Sequence, residues 1–242
     1  MSNPVDALST PPRSIAQILA LAADRPAIRC AVVHPCDAAA LGGAVAAADS
    51  CLIEPVLVGP ETKIRAAADA AALDISRFEL IPTEHSHAAA EEACRLARDG
   101  EVDAIMKGSL HSDELLGAVV DRDSGLRTDR RMSHVFIFEV PDYPRLLLVS
   151  DAAITIEPDL GAKKDIVQNA IDCAIALGIT TPRVAVLAAV ETVHPGMVAT
   201  TDAASLAKMA QRGQIVGGIV DGPLAFDNAI SPSATSAKHI VS

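Results

Sequence analysis

The sequence predicts an α/β protein whose sheets are doubly wound and mainly parallel. The first observation is the order of patterns, in which short Val- and Ile-rich runs alternate with longer Ala-rich runs at helical spacing. The second is the composition, because 50% of the 242 residues are apolar while the chain has four Phe, one Tyr and no Trp. Ala-rich helices that cover Val- and Ile-rich strands are typical of layered α/β folds, and the length allows one large or two small domains.

The first half of the chain predicts a helix followed by four strand-and-helix units. The opening helix begins after Ser14, a candidate N-cap. The predicted strands span residues 28–34, 54–58, 78–81 and 103–107, and the predicted helices span 37–49, 61–73, 84–98 and 113–120. Strands separated by helices of this length need crossover connections, so they favour a parallel, doubly wound sheet.

The pattern changes near Gly125, which favours a second domain. Two β-type runs, 135–140 and 146–149, flank a Pro-Asp-Tyr-Pro sequence that predicts a hairpin. A helix at 163–177, a strand at 183–188, a helix at 201–212, a strand at 215–220 and a final loop follow. We therefore predict a flexible leader at 1–13, an N-terminal α/β domain at 14–133, and a second α/β domain at 134–242. No helix covers the predicted last strand, so we expect this second domain to be incomplete at its C-terminal end.

Composition and charge argue against several classes of protein. The net charge of −11 is unlike that of a protein that binds nucleic acid over its whole surface. No apolar run reaches the length of a membrane span, and no positively charged start marks a signal peptide. Five scattered cysteines without a CxxC pair predict reduced thiols in a cytoplasmic protein. The sequence has no GxxxxGK loop, no dinucleotide fingerprint and no close spacing of metal-ligating histidines.

The most informative stretch is the end of the fourth predicted strand, at Met106–His111. In open α/β sheets, ligands bind beyond the carboxyl ends of the strands. Gly108 would let a ligand approach the backbone, and the next helix would offer free N–H groups to an anion. The alternative is an ordinary strand-to-helix turn with Ser112 as the cap.

Charged residues mark further candidate positions. Four arginines within ten residues, Arg122, Arg127, Arg130 and Arg131, match the forked geometry that binds phosphate oxygens. Three aspartates lie among them, so a solvated, salt-bridged loop is the alternative. Asp151 and the segment 221–227 follow predicted strands as candidate bases or ligand contacts, although Asp is also a common turn and cap residue.

Four stretches together resemble the phosphate acetyltransferase and phosphate butyryltransferase family: MKGSLHSDEL, GLRTDRRMSHVFIFEVP, LLVSDAAITIEPDL and GQIVGGIVDGPLAFDNAIS. The resemblance implies transfer of an acyl group between coenzyme A and phosphate, by direct attack in a ternary complex. Acyl-CoA and phosphate or acyl phosphate would be substrates, with no metal and no bound cofactor. It also implies a homodimer and a fold similar to isopropylmalate dehydrogenase, with two three-layer α/β/α domains and a cleft between them.

The same resemblance implies which residues bind the substrates: Lys107, Gly108, Ser109, Ser112, Arg127, Arg131, Ser133, His134, Asp151, Asp221, Gly222, Pro223 and Asp227. The family's catalytic Ser-Arg pair and the Asp that is its proposed base lie close to the family's C-terminus. This chain ends at Ser242, before those residues would appear. We therefore expect a truncated form with little or no transferase activity.

Two other functions stay open. The chain could be a non-catalytic module that binds coenzyme A or phosphate, or that pairs with a full-length subunit. It could also be a metal-dependent dehydrogenase on a related fold, which would need acids or histidines to hold the metal.

Overall fold

A computed structural model describes residues 11–237. Residues Leu19–Asp129 form one compact unit, and the described residues on either side of it form a second. Most of the predicted leader, and the predicted loop after residue 237, lie outside the described residues. The predicted domain boundary between residues 133 and 134 lies slightly further along the chain than the division between these units.

The described chain contains nine helices and eight strands. The helices are α1 (Ile15–Ala23), α2 (Ala38–Asp49), α3 (Glu61–Ala70), α4 (Ser86–Arg98), α5 (Ser112–Val119), α6 (Leu160–Ala176), α7 (Val198–Gln211), α8 (Phe226–Ile230) and α9 (Pro232–Ala237). The strands are β1 (Ile28–Val33), β2 (Ile53–Gly59), β3 (Glu79–Pro82), β4 (Ala104–Lys107), β5 (Phe136–Phe138), β6 (Leu147–Val149), β7 (Arg183–Leu187) and β8 (Ile219–Leu224).

The Leu19–Asp129 unit contains a four-stranded sheet in the order β3-β2-β1-β4, and every neighbouring pair is parallel. The chain builds outward from β1 through β2 to β3 and then returns to the other side of β1 to form β4. The strand order therefore reverses between β1 and β4, where an open crevice forms at the carboxyl ends of such sheets.

Alternate residues of the central strands face two different helix layers. Val32 and Leu57 pack with α2 and α3 in one buried cluster, while Val33 and Val58 pack with α4 and α5 in another. Full burial of a side chain of this kind stabilises the fold by about 1.5–3 kcal/mol. The sheet is thus the middle of three layers, and the predicted fold class, α/β with mainly parallel sheets, is confirmed.

The second unit holds two small sheets. β5 and β6 pair antiparallel, so the predicted hairpin is confirmed, while β7 and β8 pair in parallel against α6 and α7. The predicted strand at 215–220 is wrong at both ends. Gly217 has a φ of +84° and Gly218 packs against Ile171, so the backbone there cannot extend into the sheet. The strand starts instead at Ile219.

The segment after residue 220 also differs from the prediction. Asp221, Gly222 and Pro223 lie inside β8 rather than after it, and α8 and α9 occupy most of the described part of the predicted final loop. Pro223 is tolerated because β8 pairs only with β7 among the described residues, so one of its edges needs no N–H donor. Among residues 11–237, no helix is long and apolar enough to cross a membrane.

Candidate active site

The predicted turn at residues 107–112 lies at the point where the strand order reverses. Lys107 pairs with Val33, the last residue of β1. Beyond that pair, the Gly108 N–H donates to the Val33 carbonyl at 2.9 Å, and the Ser109 N–H donates to the His34 carbonyl at 3.0 Å. The loops that leave β1 and β4 are therefore joined along their backbones.

Gly108 cannot be replaced without moving this junction. A Cβ atom there would lie 2.3 Å from the Val33 carbonyl oxygen and 2.8 Å from the His34 carbonyl oxygen. Both are backbone atoms, one in the last residue of β1 and one in the residue after it, and neither can rotate away. Close approach of two backbone segments thus explains this glycine, because protein backbone already fills the space beside its Cα.

The hydroxyl of Ser109 ties the two loops together. It donates to the His34 carbonyl at 2.8 Å and accepts the Cys36 N–H at 2.9 Å. The imidazole Nδ1 of His34 lies 3.0 Å from the Ser109 carbonyl, which can only accept, so Nδ1 carries the proton. His34 itself has a φ of +52°, an uncommon backbone conformation for a residue other than glycine. Sequence reasoning did not identify this histidine as part of the turn.

Lys107 and Ser112 are both exposed. The Lys107 ammonium lies 3.4 Å from the Gly108 carbonyl, a weak contact that leaves the charge accessible. Ser112 is the first residue of α5, and the N-cap position belongs to His111, whose side chain makes no capping bond. The alternative in which Ser112 caps the helix is therefore wrong. The first-turn N–H groups of α5 have no capping side chain at the His111 position.

The arginines differ in their surroundings. Arg127 is exposed. Arg130 forms an ion pair with Asp172 of α6 and donates to the Asn169 amide oxygen at 3.2 Å. The Arg131 guanidinium is exposed and lies 3.9 Å from Asp159, while its backbone N–H donates to Asp165 at 3.1 Å.

Ser133, His134 and Asp151 meet within the second unit. The Ser133 hydroxyl accepts from the Asn169 amide at 2.9 Å, and the His134 N–H donates to the Asp151 carboxylate at 3.0 Å. The same carboxylate accepts the Thr155 N–H at 2.8 Å. Burial raises the pKa of Asp151, but the backbone hydrogen bonds from His134 and Thr155 outweigh it, so the pKa is lower than usual.

Asp221, Gly222 and Pro223 are consecutive residues of β8, and Asp227 lies in the first turn of α8. The Asp221 carboxylate accepts the Gly222 N–H at 2.8 Å. A Cβ atom on Gly222 would lie 2.7 Å from the Val186 carbonyl, so this glycine is fixed by strand packing. Across residues 11–237, no group of three or more His, Cys, Asp or Glu side chains could hold a metal ion.

A family model described as phosphate acetyl/butaryl transferase matches residues 89–242. The chain belongs to the phosphate acetyl/butyryltransferase family. A phosphate acetyltransferase of Rhizobium meliloti is 53% identical over 92% of this chain and 70% of its own length. A phosphate butyryltransferase of Clostridium acetobutylicum is 40% identical over 78% of this chain and 63% of its own length.

Solved structures support the fold of this phosphate acetyl/butyryltransferase family member. A branched-chain phosphotransacylase from Enterococcus faecalis superposes with a TM-score of 0.75 at 22% identity. The match covers 89% of this chain and 75% of that protein. The chain thus spans between about three-fifths and three-quarters of the length of the proteins named here.

Proposed function

We propose that this protein is a phosphate acyltransferase that moves an acetyl or butyryl group between coenzyme A and phosphate. The observation that carries the proposal is the 53% identity to a phosphate acetyltransferase across 92% of the chain. A coenzyme A thiolate attacks the carbonyl carbon of the acyl phosphate, a C–S bond forms, and the C–O bond to phosphate breaks. The thiol proton passes to a base, and the reverse reaction regenerates acyl phosphate.

The Leu19–Asp129 unit supports the binding half of this proposal. Lys107, Gly108, Ser109 and Ser112 lie where the strand order reverses, the usual ligand position in open α/β sheets. Both substrates carry negative charge, so an accessible ammonium and uncapped helix N–H groups suit them. Because the Ser109 hydroxyl already bonds to His34 and Cys36, its role in this proposal is to shape the turn.

The second unit supplies further candidate contacts. Arg131 presents an exposed guanidinium, and Arg127 in the other unit presents a second one. The buried Nδ1 of His134 has no hydrogen-bond partner in the described part of the chain, and this unsatisfied polar atom supports His134 as a candidate contact. Ser133 and the residues Asp221, Gly222, Pro223 and Asp227 complete the proposed set.

Asp151 has a different role in this proposal. Its carboxylate accepts backbone N–H groups, and its lowered pKa makes it a poor acceptor for the thiol proton at neutral pH. We therefore assign Asp151 to the structure of the site and not to proton transfer. No base is assigned among the described residues.

Calorimetry and a thiol-consumption assay test the proposed function. The purified protein is titrated with coenzyme A and with phosphate, and the loss of free thiol is followed with acetyl phosphate and with butyryl phosphate. Lys107→Ala should weaken binding of the anion about tenfold or more, since a hydrogen bond to a charged group contributes about 1.5–3 kcal/mol. Arg65→Ala is the matched control, because Arg65 is an exposed cation of α3 that pairs with Glu61.

The possible results separate the alternatives. Binding with turnover, weakened by Lys107→Ala but not by Arg65→Ala, supports the proposal. Binding without turnover replaces it with a non-catalytic binding function. Failure of the protein to bind either coenzyme A or phosphate refutes it.

We also propose that the protein is a cytoplasmic homodimer with coenzyme A as a substrate and no resident cofactor. All five cysteines are free thiols, as is usual in a reducing compartment. Sedimentation equilibrium of the purified protein tests the dimer, and a monomer mass at micromolar concentration would refute it.

A further inference from the structure

The segment of residues 130–134 has no regular secondary structure, yet its backbone is held at several points by the rest of its unit. At one end, the Arg131 N–H donates to Asp165 of α6 at 3.1 Å, and the Arg131 carbonyl accepts from Asn169 at 2.9 Å. At the other end, the His134 N–H donates to Asp151 at 3.0 Å. A loop held in this way loses little conformational entropy when a ligand binds.

The side chain of Asn169 makes three hydrogen bonds to this segment. Its amide nitrogen donates to the Arg131 carbonyl and to the Ser133 hydroxyl, each at 2.9 Å. Its amide oxygen accepts from the Arg130 guanidinium at 3.2 Å. Asn169 projects from the 17-residue helix α6, which gives these bonds a rigid base.

The contacts hold the backbone of Arg131 but leave its charge accessible. The Arg131 side chain is 63% exposed, and the Asp159 carboxylate 3.9 Å away is 69% exposed. Exposed ion pairs of this kind are weak, so a phosphate group can compete with Asp159 for the guanidinium. The backbone of Arg131 is therefore held in place while its guanidinium stays accessible to a ligand.

We propose that Asn169 is a positioning residue that holds Arg131 and Ser133 in place for the anionic substrate. The inference rests on the proposed function, because it assumes that Arg131 meets phosphate or coenzyme A. Without the Asn169 amide, the Arg131 carbonyl and Ser133 hydroxyl lose their donor, and the segment gains freedom that binding must then remove. We expect Asn169→Ala to weaken phosphate binding about tenfold.

The test combines a double-mutant cycle with hydrogen exchange. Phosphate affinity is measured by calorimetry for the wild type, Asn169→Ala, Arg131→Ala and the double variant. If Asn169 acts in part through Arg131, Asn169→Ala weakens binding less in the Arg131→Ala background than in the wild type, and the remaining effect reports its contact with Ser133. The Arg131 and His134 amides bond to Asp165 and Asp151, not to Asn169, so faster exchange at both would report loss of order in the segment itself.

Gln168→Ala provides a control on the same helix. Gln168 is buried and makes two hydrogen bonds to the backbone of Val216 and one to Asp172. Its loss should lower the melting temperature at least as much as Asn169→Ala does, while phosphate affinity and exchange at Arg131 and His134 stay within twofold of wild type.

The results distinguish failure of this inference from failure of the proposed function. Tight binding by the wild type with unchanged affinity in Asn169→Ala refutes the positioning role alone. Equal losses of affinity in Asn169→Ala with and without Arg131 also refute it, because Asn169 would then act independently of that side chain. A wild type that binds neither phosphate nor coenzyme A refutes the proposed function and, with it, this inference.

Discussion

Replacing Gly108 with Ala should break the junction between the loops that follow β1 and β4. The new Cβ atom would lie 2.3 Å from the Val33 carbonyl oxygen and 2.9 Å from the His34 carbonyl carbon. Because both contacts are with backbone, relief requires that the loops separate. Separation lengthens the bonds from Gly108 to Val33 and from Ser109 to His34.

The expected cost follows from these contacts. Two hydrogen bonds contribute about 1 kcal/mol each, and overpacking a closely fitted site costs about 1–3 kcal/mol. A total of about 3–5 kcal/mol lowers the melting temperature of a chain of this size by roughly 6–20 °C. Because the same turn carries Lys107, affinity for coenzyme A and phosphate should also fall.

Thermal unfolding followed by circular dichroism provides the measurement, and Gly42→Ala provides the control. Gly42 lies inside α2 with no atom within 4 Å of its added Cβ, so the same substitution there should stabilise the protein by up to about 1 kcal/mol. The two variants should therefore shift the melting temperature in opposite directions. If Gly108→Ala melts at or above the wild-type temperature, the steric explanation of this turn is wrong.

Three further predictions concern other parts of the chain. Asp151→Asn should destabilise the protein at pH 7 because the amide has one acceptor oxygen, whereas the two carboxylate oxygens accept the His134 and Thr155 N–H groups. Since the folded-state pKa of Asp151 is lowered, its contribution is present above about pH 4 and is lost as the pH falls through that pKa, so urea unfolding should show the gap to wild type closing in acid. Thr200→Val should cost about 1–3 kcal/mol in urea unfolding, because the buried hydroxyl accepts from His194 and donates to its carbonyl; an unchanged midpoint would contradict this. Iodoacetamide should modify exposed Cys51 first, since burial raises the pKa of the Cys36 thiol; faster labelling of Cys36, seen by peptide mass, would contradict this.

The sequence was sufficient for the sheet of the Leu19–Asp129 unit because its signals are local. The predicted strand at 28–34 and the observed β1 differ by one residue, and Asp37 caps α2 by accepting the Ala40 N–H at 2.8 Å. The packing of Val32 and Val33 against opposite helix layers follows from strand geometry, and short βα connections fix the parallel direction. None of these features depends on residues far away in the chain.

The β8 region shows where local signals mislead. Asp-Gly-Pro is turn chemistry in most contexts, but here Asp221 pairs with Ala185 inside a two-stranded sheet whose open edge tolerates proline. Ile215 is apolar and buried in the core although it lies before β8, and for this reason the predicted strand began too early in the chain. The signal for α9 was present, since Ser231 precedes a proline at the first helical position.

The candidate site is held together by contacts between distant residues, which the spacing of residues along the sequence does not predict. Ser109 and Cys36 are joined by a hydrogen bond across 73 positions of the chain, and Asn169 meets Ser133 across 36. A lone Asn in a helix carries no signal that its amide will hold a distant loop. Only the resemblance to a family predicted the Lys107 turn and the Arg131 segment together, and it did so without indicating which side chains hold the backbone.

The predicted site residues fall into two groups: in one the polar side-chain atoms already make hydrogen bonds to the protein, and in the other they are exposed. The hydroxyl of Ser109 and the carboxylate of Asp151 each bond to backbone groups, so substrate would have to break existing bonds to reach them. Lys107 and Arg131 carry exposed charges with only a long contact each, at 3.4 and 3.9 Å. Since a fixed donor stabilises developing negative charge only if it is not already paired, the proposed function requires that the cations, and not these two residues, contact the anion. The serine and the aspartate contribute by keeping the loops in place, and their substitution should lower stability before it lowers affinity.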